Sequence, residues 1–288
     1  MSAQRHLVFA FLFLILLGSV SGCAWLEDLF DPKAPDAKVV DQRVVFLSRE
    51  RADLEVDVAV FNPNAFTVPV AALDYQVFIQ NRSLLKGEQL QGQNLPSREE
   101  VTLTFPVTLE FSEIAGLVEN LWTSNQLDYR ITGGIDFDLP LLGVRRVPLE
   151  TNGSFPVPQL PRVEVAGLKA DSLSFSKARL LLSLRVTNPN IFDLNIADFD
   201  YGFQLEGDRV AGGQLQPGLK LPAGEQITLE IPFNVNLSDL GRRGFSALQN
   251  ASAISYSLDF SSRFESSFRP LSKLEHAAEH QGRIRLQR

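Results

Sequence analysis

The stretch that decides the fold runs from Leu54 to Phe66 and reads LEVDVAVFNPNAF. Apolar side chains fall on every second position of its first half, which places them on one face of a β-strand. The strand then meets Asn62-Pro63-Asn64. Proline fixes its own φ, restricts the preceding residue to extended angles and has no N–H for a sheet, while asparagine tolerates a left-handed conformation. The stretch therefore predicts a half-buried strand that ends in a specified turn.

The same pattern returns 126 residues later as LLLSLRVTNPNIF, with Asn188-Pro189-Asn190 in place of the first motif. The register continues without a gap and relates further residues in pairs: Asp74 and Asp200, Tyr75 and Tyr201, Gly87 and Gly213, Pro96 and Pro222, Pro106 and Pro232. A solenoid would have a period of ~20–50 residues. The longer period indicates a whole duplicated domain, in which the proline inside one strand favours a sheet edge or a bulge.

Alternating apolar faces account for about seven strands in the first copy, which suits a two-sheet sandwich. Between the later strands, residues 112–122 show helical spacing with Ser112 as the N-cap, and a second helix is expected to begin at Ser238. So many one-sided strands are buried most simply between two antiparallel sheets. We therefore predict an all-β protein of two tandem antiparallel β-sandwiches, each with one short helix. The polar residues 261–265 predict a frayed final hairpin.

The N-terminus has the pattern of a secretory signal. Arg5 and His6 precede an apolar run over residues 7–17, which is too short to span a membrane comfortably. Val20-Ser21-Gly22-Cys23 follows with the only cysteine of the chain, and small residues before a lone cysteine resemble the lipobox of bacterial lipoproteins. That resemblance implies that Cys23 is acylated and becomes the new N-terminus. The alternative is an ordinary signal peptide cleaved nearby, which would leave a free or buried thiol.

These observations divide the chain into four parts: a lipoprotein signal peptide over residues 1–22, a membrane-proximal tether over 23–36, a first domain over 37–158 and a second domain over 159–288. Within the tether, residues 25–30 form an apolar face that suits either the lipid headgroups or packing on the first domain. Ala24, in place of aspartate, resembles the outer-membrane sorting signal of Gram-negative cells. We therefore expect a lipid-anchored protein of the bacterial cell envelope, at the outer membrane and facing the periplasm.

The strand that ends in Asn-Pro-Asn, the Asp-Tyr strand and the Leu-Pro turn before a Thr-rich strand resemble the group 2 late embryogenesis abundant family. Its domain is also called the water stress and hypersensitive response domain. The resemblance covers both copies and implies an immunoglobulin-like or fibronectin III-like β-sandwich with a helix. It also implies an association with dehydration and other stresses, without catalytic activity. The duplication and the lipid anchor depart from the single-domain members.

Residues that carry chemistry are scarce. His276 and His280 stand four apart, which would suit a metal on one helix face, but a polar loop near the C-terminus is the simpler interpretation. Asp136 and Asp138 share one side of a strand and are interpreted as an exposed polar face rather than an acid–base pair. The sequence has no nucleophile elbow and no phosphate-binding glycine loop. We therefore predict no enzyme, no metal and no cofactor.

The formal net charge is −7, and loss of residues 1–22 with Arg5 makes it −8. An acidic chain without a basic stripe argues against binding of nucleic acid. The Asn-Pro-Asn motifs are interpreted as turns that set strand register, with a ligand loop as the alternative. We predict a non-catalytic envelope lipoprotein that supports tolerance of desiccation or related stress through contacts with membrane or protein clients. The alternative is a scaffold, or a lipid- or protein-binding module, of an outer-membrane assembly.

Overall fold

The structure of the protein is a computed structural model, which describes residues 31–89, 92–240, 242, 245–246 and 253–287. The signal peptide, Cys23 and residues 25–30 lie outside the described residues, so the predictions made for them stay predictions. Within the described ranges, no helix combines the length and the apolar character that a crossing of the bilayer requires.

The chain forms two compact units. The first contains Ala52–Glu119 and Leu127–Phe155, together with the described residues up to Val45. The second contains the described residues from Pro156 onward and takes in two shorter stretches, Phe46–Arg51 and Asn120–Gln126. The tandem arrangement is the one that the repeat predicts, whereas the domain boundary at residue 158 stays a prediction.

The first unit is built on eight strands: β1 (Asp36–Leu47), β2 (Arg51–Phe61), β3 (Val68–Ile79), β4 (Arg82–Gln89), β5 (Asn94–Leu95), β6 (Glu100–Glu110), β7 (Gln126–Leu139) and β8 (Gly143–Pro156). They form one layer in the order β1-β2-β6 and another in the order β4-β3-β7-β8. The short strand β5 pairs with the start of β3. β3 runs antiparallel to both of its long neighbours, so the predicted antiparallel all-β fold is confirmed.

The second unit repeats this plan with β9 (Arg162–Leu173), β10 (Lys177–Thr187), β11 (Leu194–Leu205), β12 (Asp208–Leu215), β13 (Leu219–Leu221), β14 (Gln226–Asn236), β15 (Ala253–Ser266) and β16 (Lys273–Gln287). The strand order is β12-β11-β15-β16-β9-β10-β14, and β13 pairs with β11. Its two layers join where β16 meets β9 in parallel, at Leu286 opposite Leu168. The corresponding β8 and β1 belong to separate sheets.

The core of each unit begins with the alternating strand of the sequence repeat. The inward residues of β2 and β10 are all 0% exposed: Leu54, Val56, Val58, Val60, Leu180, Leu182, Leu184 and Val186. Burying each such side chain stabilises the fold by ~1.5–3 kcal/mol. The prolines of the following long strands also lie where expected, because Pro106 is on β6 and Pro232 on β14, the last strand of its layer in each case. Of the two predicted settings, a sheet edge and a bulge, the structure shows the edge.

The helices differ from the prediction. The first unit has a short helix, α1 (Phe111–Ala115), which begins after Glu110 and has no side-chain cap, so Ser112 is not the N-cap. Gly116 follows α1 directly, and a 3₁₀ turn then spans Leu121–Thr123. The second unit has a 3₁₀ turn at Leu237–Asp239; most of the segment after it lies outside the described residues. Of the apolar residues that gave the helical spacing, Ile114 is buried in α1, and Val118 and Leu121 are buried after the helix ends.

The predicted fraying of the final hairpin is wrong. β15 and β16 pair continuously from Ala253 opposite Arg285 to Glu265 opposite Lys273. The polar residues of β15 alternate with buried ones such as Leu258 and Phe264. A polar outer face is therefore what a strand with one buried face requires, and it does not indicate a loose end.

Candidate functional site

The Asn-Pro-Asn turns lie between equivalent strands of the two units. Residues 62–64 connect β2 to β3, and residues 188–190 connect β10 to β11. Among the described residues, the buried polar side chains are Asn62, Asn64, Asn188, Asn190 and Ser262. Burying an amide is costly unless it is hydrogen-bonded. The partners of these four asparagines therefore decide what the turns can do.

Asn62 ties the turn to the rest of the first unit. Its Nδ2 donates to the carbonyl oxygens of Phe66 at 2.8 Å, Leu95 at 3.1 Å and Pro96 at 2.9 Å. Its Oδ1 accepts from the backbone N and from the Nδ2 of Asn64, both at 3.0 Å. The Leu-Pro pair of the sequence repeat thus supplies two of the backbone carbonyl oxygens that hold the Asn62 side chain.

Asn64 binds a segment that precedes the first strand. Its Nδ2 donates to the carbonyl oxygen of Lys33 at 2.8 Å, and its Oδ1 accepts from the backbone N of Lys33 at 2.8 Å. The Asn64 side-chain amide therefore exchanges two hydrogen bonds with the backbone of Lys33, as the peptide groups of two neighbouring strands do in a sheet. We call Asn62, Pro63 and Asn64 with Lys33 the first latch.

The second unit contains the same arrangement. Asn188 Nδ2 donates to three carbonyl oxygens, those of Phe192 at 2.8 Å, Leu221 at 3.2 Å and Pro222 at 3.1 Å. Asn190 exchanges two hydrogen bonds with the backbone of Gln159, at 2.9 Å from its Nδ2 and 2.8 Å to its Oδ1. We call Asn188, Pro189 and Asn190 with Gln159 the second latch.

The latches show that the repeat begins earlier than the sequence analysis placed it. Lys33 was assigned to the tether and Gln159 to the start of the second domain, yet both occupy the same position in their units. The flanking prolines are buried in both copies, Pro32 and Pro35 in the first and Pro158 and Pro161 in the second. Their spacing follows the 126-residue register. The matching prolines were the signal in the sequence that could have shown that Lys33 and Gln159 are equivalent.

The chemistry of the latches is that of a closed set of amides. Both oxygens and both nitrogens of each asparagine pair are used inside the unit. No polar atom of these side chains is left for a ligand, a metal or a substrate, because the donors and the acceptors already have partners. The arrangement favours a structural role, which holds the incoming segment and the turn in one geometry.

The histidines do not lie in a loop, as the sequence analysis expected, but on β16. The His276 and His280 rings lie 5.1 Å and 5.8 Å from that of Phe260, centroid to centroid. Burial lowers the pKa of His276, against the raising effect of its hydrogen bond to the Pro161 backbone, with smaller lowering contributions from His280 and Arg49. In the described part of the chain, no group of three or more potential metal ligands comes together.

The carboxylates of β7 also take structural positions. Asp136 lies 3.3 Å from Arg146, whose guanidinium also pairs with Asp74. The hydrogen bonds from Arg146 lower the pKa of Asp74. Asp138 is exposed further along the strand. Asp74 and Asp136 therefore belong to one ion-pair cluster around the Arg146 guanidinium.

Two cavities among the described residues, one in each unit, differ in volume. In the first, the cavity lined by Val56, Leu73 and Phe105 has a volume of about 10 Å³, which is room for about one water molecule. An acyl chain does not fit there. In the second, a cleft of about 620 Å³ borders the second latch and is also lined by Arg49, Trp122 and Arg162. The Arg49 guanidinium lies 5.1 Å from the Trp122 ring centroid.

Tyr75, Tyr129 and Tyr256 share one packing device, which the sequence analysis missed. In the sheet register, Tyr75 stands opposite Gly87 and Tyr256 opposite Gly282, and a Cβ atom at either glycine would lie within 2.8 Å of the tyrosine side chain. Tyr201 stands opposite Gly213, but a Cβ atom there would have no neighbour within 4 Å. A Cβ atom at Gly153 would lie 2.4 Å from the Oη of buried Tyr129. Glycine on the neighbouring strand makes room for an aromatic ring laid across the sheet. The rings of Tyr75, Tyr129 and Tyr256 therefore pack across the neighbouring strand at these glycines.

The fold and the latches together define a class: a tandem pair of antiparallel β-sandwiches in which a buried Asn-Pro-Asn turn holds the segment that enters each unit. The late embryogenesis abundant protein family matches residues 57–153 and 183–272, which are the central parts of both copies. The chain belongs to this family.

Similar proteins match about half of this chain. Lea14-A, a late embryogenesis abundant protein of Gossypium hirsutum, is 27% identical over 128 residues, which is 44% of this chain and 85% of that protein. A desiccation-related protein of Arabidopsis thaliana is 26% identical over 134 residues, 46% of this chain and 81% of that protein. The solution structure of a late embryogenesis abundant protein covers 55% of this chain and 92% of its own, with 26% identity and a TM-score of 0.39.

Proposed function

We propose that this protein is a lipid-anchored, non-catalytic protein of the bacterial cell envelope that supports tolerance of desiccation or related stress. The observation that carries the proposal is the match of both copies to a family whose similar members are named for late embryogenesis and desiccation. The protein acts through contacts with membrane or protein clients. It needs no cofactor, since polar surface and rigid shape are enough for such contacts.

Each sandwich is, in this proposal, immunoglobulin-like or fibronectin III-like. The support is the strand order, with a layer β1-β2-β6 facing a layer β4-β3-β7-β8 and the same division in the second unit. Seven long strands in two layers of three and four match that architecture. Shared architecture does not by itself define a function, so the stress role depends on the family and not on the fold.

The structure offers a physical reason why such a unit suits a drying environment. The buried amides of both latches bond to protein groups rather than to bulk water, so loss of water does not break them. The outer faces carry charged clusters such as Arg43 with Glu55 and Asp57, and Thr104 donates to Asp57 at 2.6 Å. These polar faces can take over hydrogen bonds that water gives to a client surface. The buried hydrogen bonds of the latches keep each unit folded while its polar faces contact a client.

The anchor is the part of the proposal that depends on Cys23. Acylation there would hold the protein at the outer membrane, facing the periplasm, because acyl chains bind a bilayer by ~0.8 kcal/mol per buried methylene. Intact-mass measurement of the protein extracted from membranes is expected to show acyl additions at Cys23. A soluble mature chain that begins elsewhere would contradict the anchor.

The stress role is tested by survival. Cells that lack this protein are expected to survive drying or hyperosmotic shock less well than wild type. The lipidated protein should restore survival, and Cys23→Ala should restore it poorly, because the protein would no longer be held at the outer membrane by acyl chains. Unchanged survival under these stresses, together with a stable complex with an envelope machine, would contradict the stress role and support the scaffold.

A binding module is the second candidate, and the cleft beside the second latch favours it. Its charged lining residues are Arg49 and Arg162, and the rest of the lining is neutral. Two guanidinium groups in a lining whose described residues include no carboxylate suit an anionic ligand. Calorimetric titration with inorganic phosphate and with small organic acids, on wild type and on Arg49→Gln with Arg162→Gln, would decide it. Binding that the double variant loses would support the module, and no binding to either protein would exclude it.

A further inference from the structure

The turn between β7 and β8 presents apolar side chains to solvent at the tip of a long hairpin. Leu141 is 75% exposed, Leu142 38% and Val144 56%. Isolated exposed apolar residues are common, but three within four positions at a hairpin tip form a projecting apolar patch. We call residues 141–145 the apolar tip.

The backbone of the apolar tip is held in an unusual way. Leu141 has φ 65, in the left-handed region, and the N–H of Leu142 donates to the carbonyl oxygen of Pro140 at 2.8 Å. Leucine rarely adopts that region, which favours glycine and asparagine. Folding alone would be served better by glycine at this exposed position. The leucine therefore points to a task for its side chain outside the folded unit.

The corresponding turn of the second unit gives an internal comparison. There, between β15 and β16, Leu271 is buried, and the Phe268 ring stacks on Phe192 at 5.9 Å. The carbonyl oxygen of Pro270 accepts from the N–H of Leu47 at 2.8 Å. The second turn is thus covered by protein, whereas among the described residues the apolar tip of the first unit is uncovered.

The apolar tip lies at the end of the first unit where the chain enters. β3 begins just after the Asn-Pro-Asn turn, and its Val70 stands opposite Phe137, close to the end of β7. The turn and the hairpin tip therefore lie at the same end of the sandwich. At that end Asn64 holds Lys33. Lys33 follows Cys23 by ten residues, which span at most about 35 Å when fully extended.

From this placement we infer that the apolar tip inserts into the lipid bilayer, a step that rests on the proposed anchor at Cys23. Leu141, Leu142 and Val144 enter the interfacial region, where exposed apolar side chains leave water. Arg145 is exposed beside them and has no ion-pair partner among the described residues, whereas Arg146 is paired with Asp74. Arg145 is placed to meet anionic headgroups. The first latch and the tip then fix the orientation of the first unit on the membrane.

A label at the tip tests the inference in the full-length lipidated protein. Acylated Cys23 has no thiol, so Leu141→Cys provides the one site for a nitrobenzoxadiazole label. Phe175→Cys is the matched control, since Phe175 is an exposed apolar residue in the turn between β9 and β10 of the second unit. In vesicles of phosphatidylethanolamine and phosphatidylglycerol, the label at 141 is expected to shift to shorter wavelength and to be quenched by spin labels on the acyl chains. The label at 175 should do neither.

Two other results would overturn the inference. A label at 141 that stays open to aqueous iodide in vesicles would show that the tip remains in water. A label that is shielded equally with and without vesicles would show that residues 25–30, or another part of the chain, cover it. Either result would leave acylation of Cys23 and the survival phenotype intact, so failure of the tip and failure of the proposed function are distinguishable.

Binding of the unanchored chain gives a second measurement. With Cys23→Ala in every sample, Leu141→Ser with Leu142→Ser is expected to weaken partition into the same vesicles at least about tenfold. Arg145→Gln should weaken it about fivefold at low salt, and by less when salt screens the headgroups. Partition equal to that of Cys23→Ala alone in all these variants would contradict insertion of the tip.

Discussion

Replacing Asn188 with alanine tests the second latch most directly. The side chain is 0% exposed. Its NH₂ group has two hydrogens, which the three nearby carbonyl oxygens share, and its Oδ1 accepts two hydrogen bonds from Asn190. Four hydrogen bonds contribute ~1 kcal/mol each, and partners left unpaired in the interior cost more than that. We therefore expect Asn188→Ala to lower the free energy of unfolding by about 4 kcal/mol.

Equilibrium denaturation of the full chain in urea, followed by circular dichroism, measures the loss. Asn234→Ala is the matched control, because Asn234 is exposed on β14; its effect should stay within ~0.5 kcal/mol. Asn188→Asp keeps the shape but sets carboxylate oxygens against carbonyl oxygens, so it should destabilise at least as much as alanine. An Asn188→Ala protein within ~1 kcal/mol of wild type would refute the hydrogen-bond account of the latch.

Three further predictions test other parts of the structure by the same denaturation assay. Pro63→Ala should lower the free energy of unfolding by ~1 kcal/mol, because the unfolded chain gains conformational freedom. A variant with unchanged stability that loses stress protection would instead indicate a functional turn. Gly153→Ala should lower the free energy of unfolding by ~1–3 kcal/mol, because the added Cβ meets the Tyr129 ring. Gly167→Ala is the control and should be nearly neutral, since no atom lies closer than 3.9 Å to its added Cβ. Equal effects of the two substitutions would contradict the packing of tyrosine over glycine. Because burial lowers the pKa of His276, stability should be full above the unfolded pKa of ~6.5 and fall as pH drops through the folded value. His276→Gln should remove this loss of stability at low pH. If the variant shows the same dependence of stability on pH as wild type, the role assigned to His276 is wrong.

Much of the fold could be predicted because it depends on local pattern. Alternation along residues 54–60 and 180–186 identified the buried faces of β2 and β10, since side chains on a strand alternate between its two sides. The prolines at 106 and 232 predicted a sheet edge or a bulge for an equally local reason, the missing N–H, and the structure shows the edge. The family match over both copies confirmed the tandem arrangement that the 126-residue register had indicated.

Other features could not be predicted because they depend on contacts between distant residues. The polar stretch 261–265 belongs to an ordered strand because β16 pairs along its whole length. The helix α1 ends early because Gly116 follows it directly, although the apolar spacing continues to Leu121. His276 and His280 looked like part of a loop because their strand has polar residues on its outer face. In each case the local pattern was compatible with more than one tertiary setting.

The candidate site shows the same division. By itself, the sequence determined that Asn62-Pro63-Asn64 and Asn188-Pro189-Asn190 end a strand in a turn, because proline and asparagine restrict the backbone wherever they occur. Only the tertiary structure decided what the asparagine side chains bind. Their partners, Lys33 and Leu95 in the first unit and Gln159 and Leu221 in the second, are about thirty residues distant along the chain. A hydrogen bond depends on positions in space, and those positions exist only after the two layers of each sandwich have packed together.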